Sequence, residues 1–365
     1  MNIAYQMPTK VVMGEDCVKA NAALLAGMGS KALIVTGARS AKANGSQDDV
    51  IAALTQNGQS YAVYDKVMSN PTIACAYDGA AFAKAQGCDF VIAIGGGSPM
   101  DAAKAMALLA RQDIPESALF SGQYGPDVLP MVHIPTTAGT GSEVTPYAIL
   151  TNDAAQTKTS LASPLLFPKM ALLDARYMFG LPLNVSINTA IDALSHLVEG
   201  MLTVRANTVT DMLAAEGIKK IAFCFGAMKK NALTPDIREK LLYASMLGGM
   251  VIANTGTTVV HAMGYALTYF KDIDHGRANG LLMAAFFDFL QKGAHVKVSE
   301  ILSLMGFLSV EAFKSTMHEL LGEKEKVTTQ EIQKFSEITI KAKNIGNTII
   351  PPTQNDIIDM YAASF

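Results

Sequence analysis

Residues 89–101 read DFVIAIGGGSPMD. Asp89 to Ile94 is a short, unbroken apolar run of the kind a parallel sheet buries on both faces. Three glycines and a serine follow at once, and a helical pattern from Ala102 to Arg111 opens behind them. Glycines let a backbone approach an anion closely. A helix start offers unpaired N–H groups and the positive end of a dipole. Gly95, Gly96, Gly97 and Ser98, up to Asp101, therefore predict a pyrophosphate loop at a strand's carboxyl end, where such sheets bind ligands. A ligand-free strand-to-helix turn would fit one glycine better than three. The loop is neither a Walker A sequence nor G-x-G-x-x-G.

The same grammar runs through the first half. Thr9 to Gly14, Lys31 to Thr36, Tyr61 to Tyr64 and Met131 to Ile134 read as further strands, with helical patterns at Asp48 to Asn57 and Ile73 to Gln86. Alternating strand and helix predicts a parallel α/β sheet. Two more loops follow strands. Residues 135–143, PTTAGTGSE, offer the hydroxyls of Thr136, Thr137, Thr140 and Ser142 to a ribose, phosphate or nicotinamide amide, although a hydroxyl-rich surface loop would look similar. Residues 37–40, GARS, end the first buried strand. A carboxylate there would hold a ribose 2′-hydroxyl, whereas an Arg suits a 2′-phosphate. Gly37, Arg39 and Ser40 with no carboxylate favour NADP over NAD.

From about Leu183 the strand-like runs stop. Helical periods take over at Ile187 to Thr203, Asn207 to Phe225, Ile237 to Gly256, Val259 to Tyr269 and Gly276 to Gln291. Gly180 and Pro182 punctuate the change. The expected division is an α/β dinucleotide-binding domain over residues 1–182 and an all-helical metal-binding domain over residues 183–365.

Of the 365 residues half are hydrophobic and 17% charged, with a net charge of −3. That composition describes a globular enzyme and leaves no basic stripe for nucleic acid. No uncharged apolar run approaches the ~20 residues of a membrane span. The first seven residues lack a basic, then apolar pattern, so no signal peptide is expected. Cys17, Cys75, Cys88 and Cys224 are far apart without a CxxC, which points to a reducing cytoplasm rather than disulfides.

The second half carries its own chemistry. Asp192 and His196 sit four apart in a helical stretch, a spacing that puts both side chains on one side. His261 and His275 follow. Each alone has an ordinary explanation: a surface pair, a core histidine, a helix end. Yet the chain has six histidines and three of them lie in or beside apolar helical segments between residues 196 and 275. Asp192, His196, His261 and His275 together predict a site for one divalent ion such as Fe²⁺, Zn²⁺, Co²⁺ or Ni²⁺ rather than Ca²⁺. His133, His295 and His318 read as structural or solvent-facing.

These motifs, in this order and covering nearly the whole chain, resemble the iron-containing (group III) alcohol dehydrogenase family. The matching stretches are GGGSPMD at 95–101, PTTAGTGSE at 135–143, DALSHLVEG at 192–200 and His261 through Gly276. The resemblance implies a dehydroquinate synthase-like fold: an α/β dinucleotide domain plus a helical metal domain, with the active site between them. It implies Asp192, His196, His261 and His275 as ligands of Fe²⁺ or Zn²⁺. It matches Gly95 to Ser98 and Asp101 to the pyrophosphate loop, Thr136, Thr137 and Thr140 to cofactor hydroxyls, Lys158 to the ribose and Asn70 to the adenosine side. Gly180, Leu181 and Val185 fall at the nicotinamide pocket and Ile252 at the substrate pocket.

Two positions depart from the pattern. Some members carry a proton-relaying histidine four residues after the third ligand, where this chain has Tyr265. Tyr265 shares a helix face with His261, so it is expected in the substrate pocket beside Ile252, with its hydroxyl as a candidate proton relay. An ordinary phenol, with a pKa of about 10, is a poor match to neutral pH; water and the cofactor ribose are the alternative route. Gly37 stands where NAD-using members have Asp, in line with NADP. The implied reaction is hydride exchange between NADP (or NAD) and a small alcohol or aldehyde, by a cytoplasmic homodimer pairing through its N-terminal strand. A glycerol dehydrogenase- or dehydroquinate synthase-like enzyme on the same fold, and a non-catalytic nucleotide- or metal-binding protein, are the alternatives.

Overall fold

A computed structural model describes residues 3–365. Its strands are β1 (Lys10–Met13), β2 (Lys31–Thr36), β3 (Ser60–Tyr64), β4 (Phe90–Gly95), β5 (Met131–Pro135), β6 (Tyr147–Asn152), β7 (Thr157–Ala162) and β8 (Met170–Leu173). Its helices are α1 (Cys17–Ala20), α2 (Ser40–Ala43), α3 (Ser46–Gln56), α4 (Ile73–Gln86), α5 (Gly97–Leu109), α6 (Leu183–Met201), α7 (Thr208–Lys229), α8 (Pro235–Thr255), α9 (Val259–Lys271), α10 (His275–Leu304), α11 (Val310–Leu321), α12 (Thr329–Thr339) and α13 (Gln354–Ser364). The chain forms two compact units. One is α/β and comprises Met7–Thr137 and Gly141–Leu181; the other is helical and comprises Pro182–Phe365, Ala138–Thr140 and the described part of Met1–Gln6.

In the α/β unit a six-stranded parallel sheet has the order β1-β8-β5-β4-β2-β3. Chain order reverses between β2 and β4, which is the switch point where ligands bind in doubly wound sheets. Thr36 is level with Ile94 and Gly95 with Pro135, so the loops after β2, β4 and β5 leave one edge of the sheet together. Ile34, Ile92 and Ile134 pack on one face with Val50 and Leu54 of α3, and Leu33, Val91 and Met131 on the other with Met100 and Met106 of α5. Both faces are dry, as the unbroken apolar strands require.

Helix α5 starts at Gly97, not at Ala102. Gly97 to Met100 form its first turn, and Pro99 fits there because a first-turn N–H has no intrahelical partner to lose. Gly95 has φ +150°, and a Cβ on it would lie 2.6 Å from Pro99 Cγ. The sequence reading also missed the antiparallel hairpin of β6 and β7 and the four-residue β8.

In the helical unit α6 is buried without a break from Ala190 to Met201 and packs against α7, α8 and α10. Helix α10 extends beyond Gln291 to Leu304, across a non-helical Ala294. Capping boxes at Asn207, Thr328 and Thr353 start α7, α12 and α13, each satisfying otherwise orphaned N–H groups.

Candidate functional site

Helix α6 supplies Asp192 and His196 from its buried stretch. His261 comes from the first turn of α9, and His275 is the first residue of α10. One ligand atom from each of Asp192, His261 and His275 falls within 4.8 Å of the others. Asp192 Oδ1 is 3.9 Å from His261 Nε2 and 3.8 Å from His275 Nε2. All three face one point. The amide Nδ2 of Asn279 reaches Asp192 Oδ1 at 3.1 Å and the Nε2 atoms of His261 and His275 at 3.3 Å each. Asn279 is fully buried, one turn after His275.

Two glycines make this convergence possible. A Cβ on Gly276 would lie 1.9 Å from the Asn188 carbonyl oxygen and 2.8 Å from Asp192 Cβ. Helix α10 thus begins pressed directly onto α6. A Cβ on Gly264 of α9 would lie 2.1 Å from Asn279 Oδ1.

His196 lies beside the group rather than in it. Its ring stacks on His261 with centroids 4.7 Å apart at 24°. It is buried, and its Nδ1 has no hydrogen-bond partner. Burial pushes this imidazole below its ordinary range, against the pull of the Asp192 carboxylate. An orphaned buried nitrogen next to three converging acceptors is chemistry that fits a cation, because each such atom otherwise carries a desolvation cost. Imidazoles and one carboxylate form a borderline donor set that suits Fe²⁺ or Zn²⁺.

The sequence reading passed over Glu199. It falls seven residues after Asp192 and three after His196, on the same face of α6, and is completely buried. Its Oε1 accepts from the Thr258 N–H at 2.7 Å, the Thr258 hydroxyl at 2.6 Å and the His261 N–H at 3.3 Å. Its Oε2 pairs with His261 Nδ1. The spacing was a usable signal, since i, i+4 and i+7 share a helix face.

Tyr265 lies one turn beyond His261. Its ring stacks on His275 at 5.4 Å and 16° and meets His261 edge-on at 6.3 Å. Ile252 is buried on α8, one turn after Gly248, where a Cβ would stand 3.4 Å from His196 Cβ. Val185 is in the opening turn of α6. Thr140 belongs to the three-residue segment that joins the helical unit. His295 and His318 are exposed.

In the α/β unit several expected cofactor residues meet. Asn70, in the left-handed region at φ 55°, donates its N–H to Ser98 Oγ at 3.3 Å and accepts from Lys158 Nζ at 2.7 Å. A Cβ on Gly96 would stand 3.0 Å from Thr137 Oγ1. Thr136 donates its N–H to the Gly95 carbonyl at 2.9 Å. Arg39 and Ser40 are exposed just past β2, and Gly37 approaches the Val67 carbonyl. Gly180 and Leu181 end the unit.

Asp101 is tied into the protein. Its Oδ1 accepts from the Ser142 hydroxyl at 2.6 Å and its Oδ2 from the Ile149 N–H at 3.0 Å. Beside it the fully buried Lys104 donates to Ser142 Oγ at 2.8 Å, Thr145 Oγ1 at 3.1 Å and the Tyr147 carbonyl at 2.6 Å. This network pins the first half of α5 to the segment from Ser142 to Ile149. Burial lowers the Lys104 ammonium to about 8 and pushes the buried Glu143 carboxyl up to about 7. His133, fully buried in β5, is held neutral by burial and by the Lys104 charge.

Comparison with known proteins agrees with the fold. Residues 8–175 match the model of the family "Iron-containing alcohol dehydrogenase", and residues 186–365 match that family's C-terminal model. The chain belongs to the iron-containing alcohol dehydrogenase family. It is similar to the 1,3-propanediol dehydrogenase of Klebsiella pneumoniae, with 34% identity over 310 residues that cover 84% of this chain and 78% of that protein. The lactaldehyde reductase of Escherichia coli K12 is 34% identical over 269 residues, 71% of this chain and 69% of that one. An iron-containing alcohol dehydrogenase of Thermotoga maritima superposes with a TM-score of 0.92 at 37% identity, covering 99% of each chain. As a member of this family the protein is an oxidoreductase of alcohols and aldehydes. Among its described residues no helix is long and apolar enough to cross a membrane.

Proposed function

We propose that this alcohol dehydrogenase interconverts small primary alcohols and their aldehydes with NADP(H), at one divalent ion held by Asp192, His196, His261 and His275. The observation that carries the reading is the convergence of Asp192 Oδ1 and two imidazole Nε2 atoms on one point. With the ion and a nicotinamide dinucleotide bound, the chemistry supplied is Lewis-acid polarisation of the alcohol oxygen and hydride transfer at the nicotinamide ring.

The chain's own residues bind and orient. Gly97 and Ser98 present first-turn N–H groups of α5, with Gly95 and Gly96 leading into them, to a pyrophosphate. Asn70 and Lys158 add polar contacts beside that turn. Thr136, Thr137 and Thr140 offer hydroxyls, and Gly180, Leu181 and Val185 line the nicotinamide. Ile252 and the Tyr265 ring give an apolar wall suited to short alkyl groups. Arg39, exposed at the end of β2 with no carboxylate in the loop, supports NADP over NAD. The edge position of β1 supports a homodimer formed by pairing that strand, and the four free cysteines support a cytoplasmic setting.

The test is elemental analysis of anaerobically purified protein, beside NADPH- and NADH-dependent reduction of short aldehydes. About one equivalent of Fe or Zn is expected, with activity lost on chelation and NADPH preferred. Full turnover by metal-free protein would overturn the reading.

A further inference from the structure

We propose that Glu199 is the positioning residue of the metal site: it fixes the His261 ring with its proton on Nδ1, so that the Nε2 lone pair faces Asp192 and His275. The inference rests on the metal reading above.

Three observations carry it. Glu199 is completely buried and its Oε2 contacts His261 Nδ1. A carboxylate only accepts, so the proton in that contact sits on the imidazole. The other ring nitrogen, Nε2, is the one that converges with Asp192 and His275. Glu199 cannot swing away from this task, because its other oxygen is held by three donors: the Thr258 N–H, the Thr258 hydroxyl and the His261 N–H. Two of these donors are orphan N–H groups at the start of α9, whose own N-cap residue, Thr258, makes no side-chain cap. A single carboxylate from α6 therefore caps α9 and sets the tautomer of the histidine in its first turn. Ligating histidines commonly rely on such a partner, and its loss weakens metal binding by roughly 10- to 100-fold.

Glu199→Gln separates positioning from capping. The amide oxygen can still accept from Thr258 and the His261 N–H. The amide NH₂ then faces Nδ1, which has to become the acceptor, and the proton moves to Nε2, where it blocks ligation. Zn²⁺ and Co²⁺ affinity is measured by equilibrium dialysis on full-length apo protein, with the thermal midpoint of the apo protein recorded alongside. The expected result is a loss of about 10- to 100-fold in affinity with little change in the apo midpoint. A capping role alone, which the Gln amide oxygen keeps, would leave both the midpoint and the affinity intact.

Wild-type protein gives a second readout that does not depend on the variant folding. Long-range ¹H–¹⁵N spectra of histidine-labelled apo protein report each ring's tautomer, and His261 is assigned by its absence from His261→Ala. Protonation at Nδ1 is expected. Protonation at Nε2, or unchanged affinity in Glu199→Gln, would overturn the proposal. Wild-type protein that binds neither ion would instead defeat the metal reading, and the tautomer would then decide the positioning claim by itself.

Discussion

The ring of Tyr265 lies flat against that of His275, with centroids 5.4 Å apart and 16° between the planes. This contact braces a residue that starts a helix and is otherwise the most open of the three converging groups, with 23% of its side chain exposed. The bracing is done by the ring, and a phenol is a weak proton donor at neutral pH. Tyr265→Phe is therefore expected to keep its metal and to hold kcat/KM within about threefold, while Tyr265→Ala loses roughly tenfold in metal affinity, on the scale of a lost supporting contact. Steady-state kinetics and metal titration on both variants check this. A loss of a hundredfold in Tyr265→Phe with metal retained would assign the hydroxyl to proton transfer.

The Gly276 contact is the least forgiving in the helical unit. An added Cβ would meet the Asn188 carbonyl oxygen at 1.9 Å, and backbone cannot rotate aside as a side chain can. Helix α10 would have to lift from α6 and carry His275 with it. Gly276→Ala should cost about 1–3 kcal/mol of stability, the usual cost of overpacking, and remove most bound metal. Gly264→Ala is the control. Its Cβ meets Asn279 Oδ1, the end of a side chain rather than backbone, so stability should fall less, although the buried Asn279 then has to shift against the three ligands. Chemical denaturation and metal content separate the two, and equal losses in both variants would contradict this ranking.

Much of this architecture was legible in the sequence because single physical signals dominate there. Unbroken apolar runs gave β2 and β4, and Gly-rich turns marked their ends. The misses have equally specific causes. Strand β8 is only four apolar residues, too short for a period to separate helix from strand. Strands β6 and β7 form a half-exposed hairpin with weak alternation. The start of α5 was misplaced because glycines read as loop, although Gly97 is helical. Glu199 and Lys104 were missed because buried charges look like surface residues until their partners are known. Asn279 was missed because its role depends on two other helices reaching it.

The α/β unit should show an unusual pH response centred on Glu143. Its carboxyl is pushed by burial from the ordinary 4.5 up to about 7, and one of its oxygens has no hydrogen-bond partner. A raised carboxyl binds its proton more tightly folded than unfolded. Its contribution is therefore fully present below about 4.5 and is lost as pH rises through about 7. Lys104, lowered from 10.5 to about 8, gives the opposite slope only above that range. Glu143→Gln should be near wild-type stability at about pH 5 and more stable at about pH 8, by an amount on the order of 1–3 kcal/mol. Urea unfolding at both pH values measures this. A variant effect that is the same at both would remove Glu143 as the source.

The proposed NADP preference can be tested at the loop after β2, which sits beside the switch point of the sheet. Gly37 has room for a side chain, because an added Cβ would stand 3.4 Å from the Val67 carbonyl, an ordinary contact. Asp at this position would offer a carboxylate to a ribose 2′-hydroxyl and repel a 2′-phosphate. Arg39, two residues on, is exposed, which leaves it open to that phosphate. Gly37→Asp should lower kcat/KM for NADPH by tenfold or more and raise it for NADH, while Arg39→Ala should lower only the NADPH value, about 1–2 kcal/mol of charge-assisted hydrogen bonding. Stopped-flow titration of both cofactors against both variants tests this. An Arg39→Ala protein that binds NADPH as tightly as wild type would place 2′-phosphate recognition elsewhere.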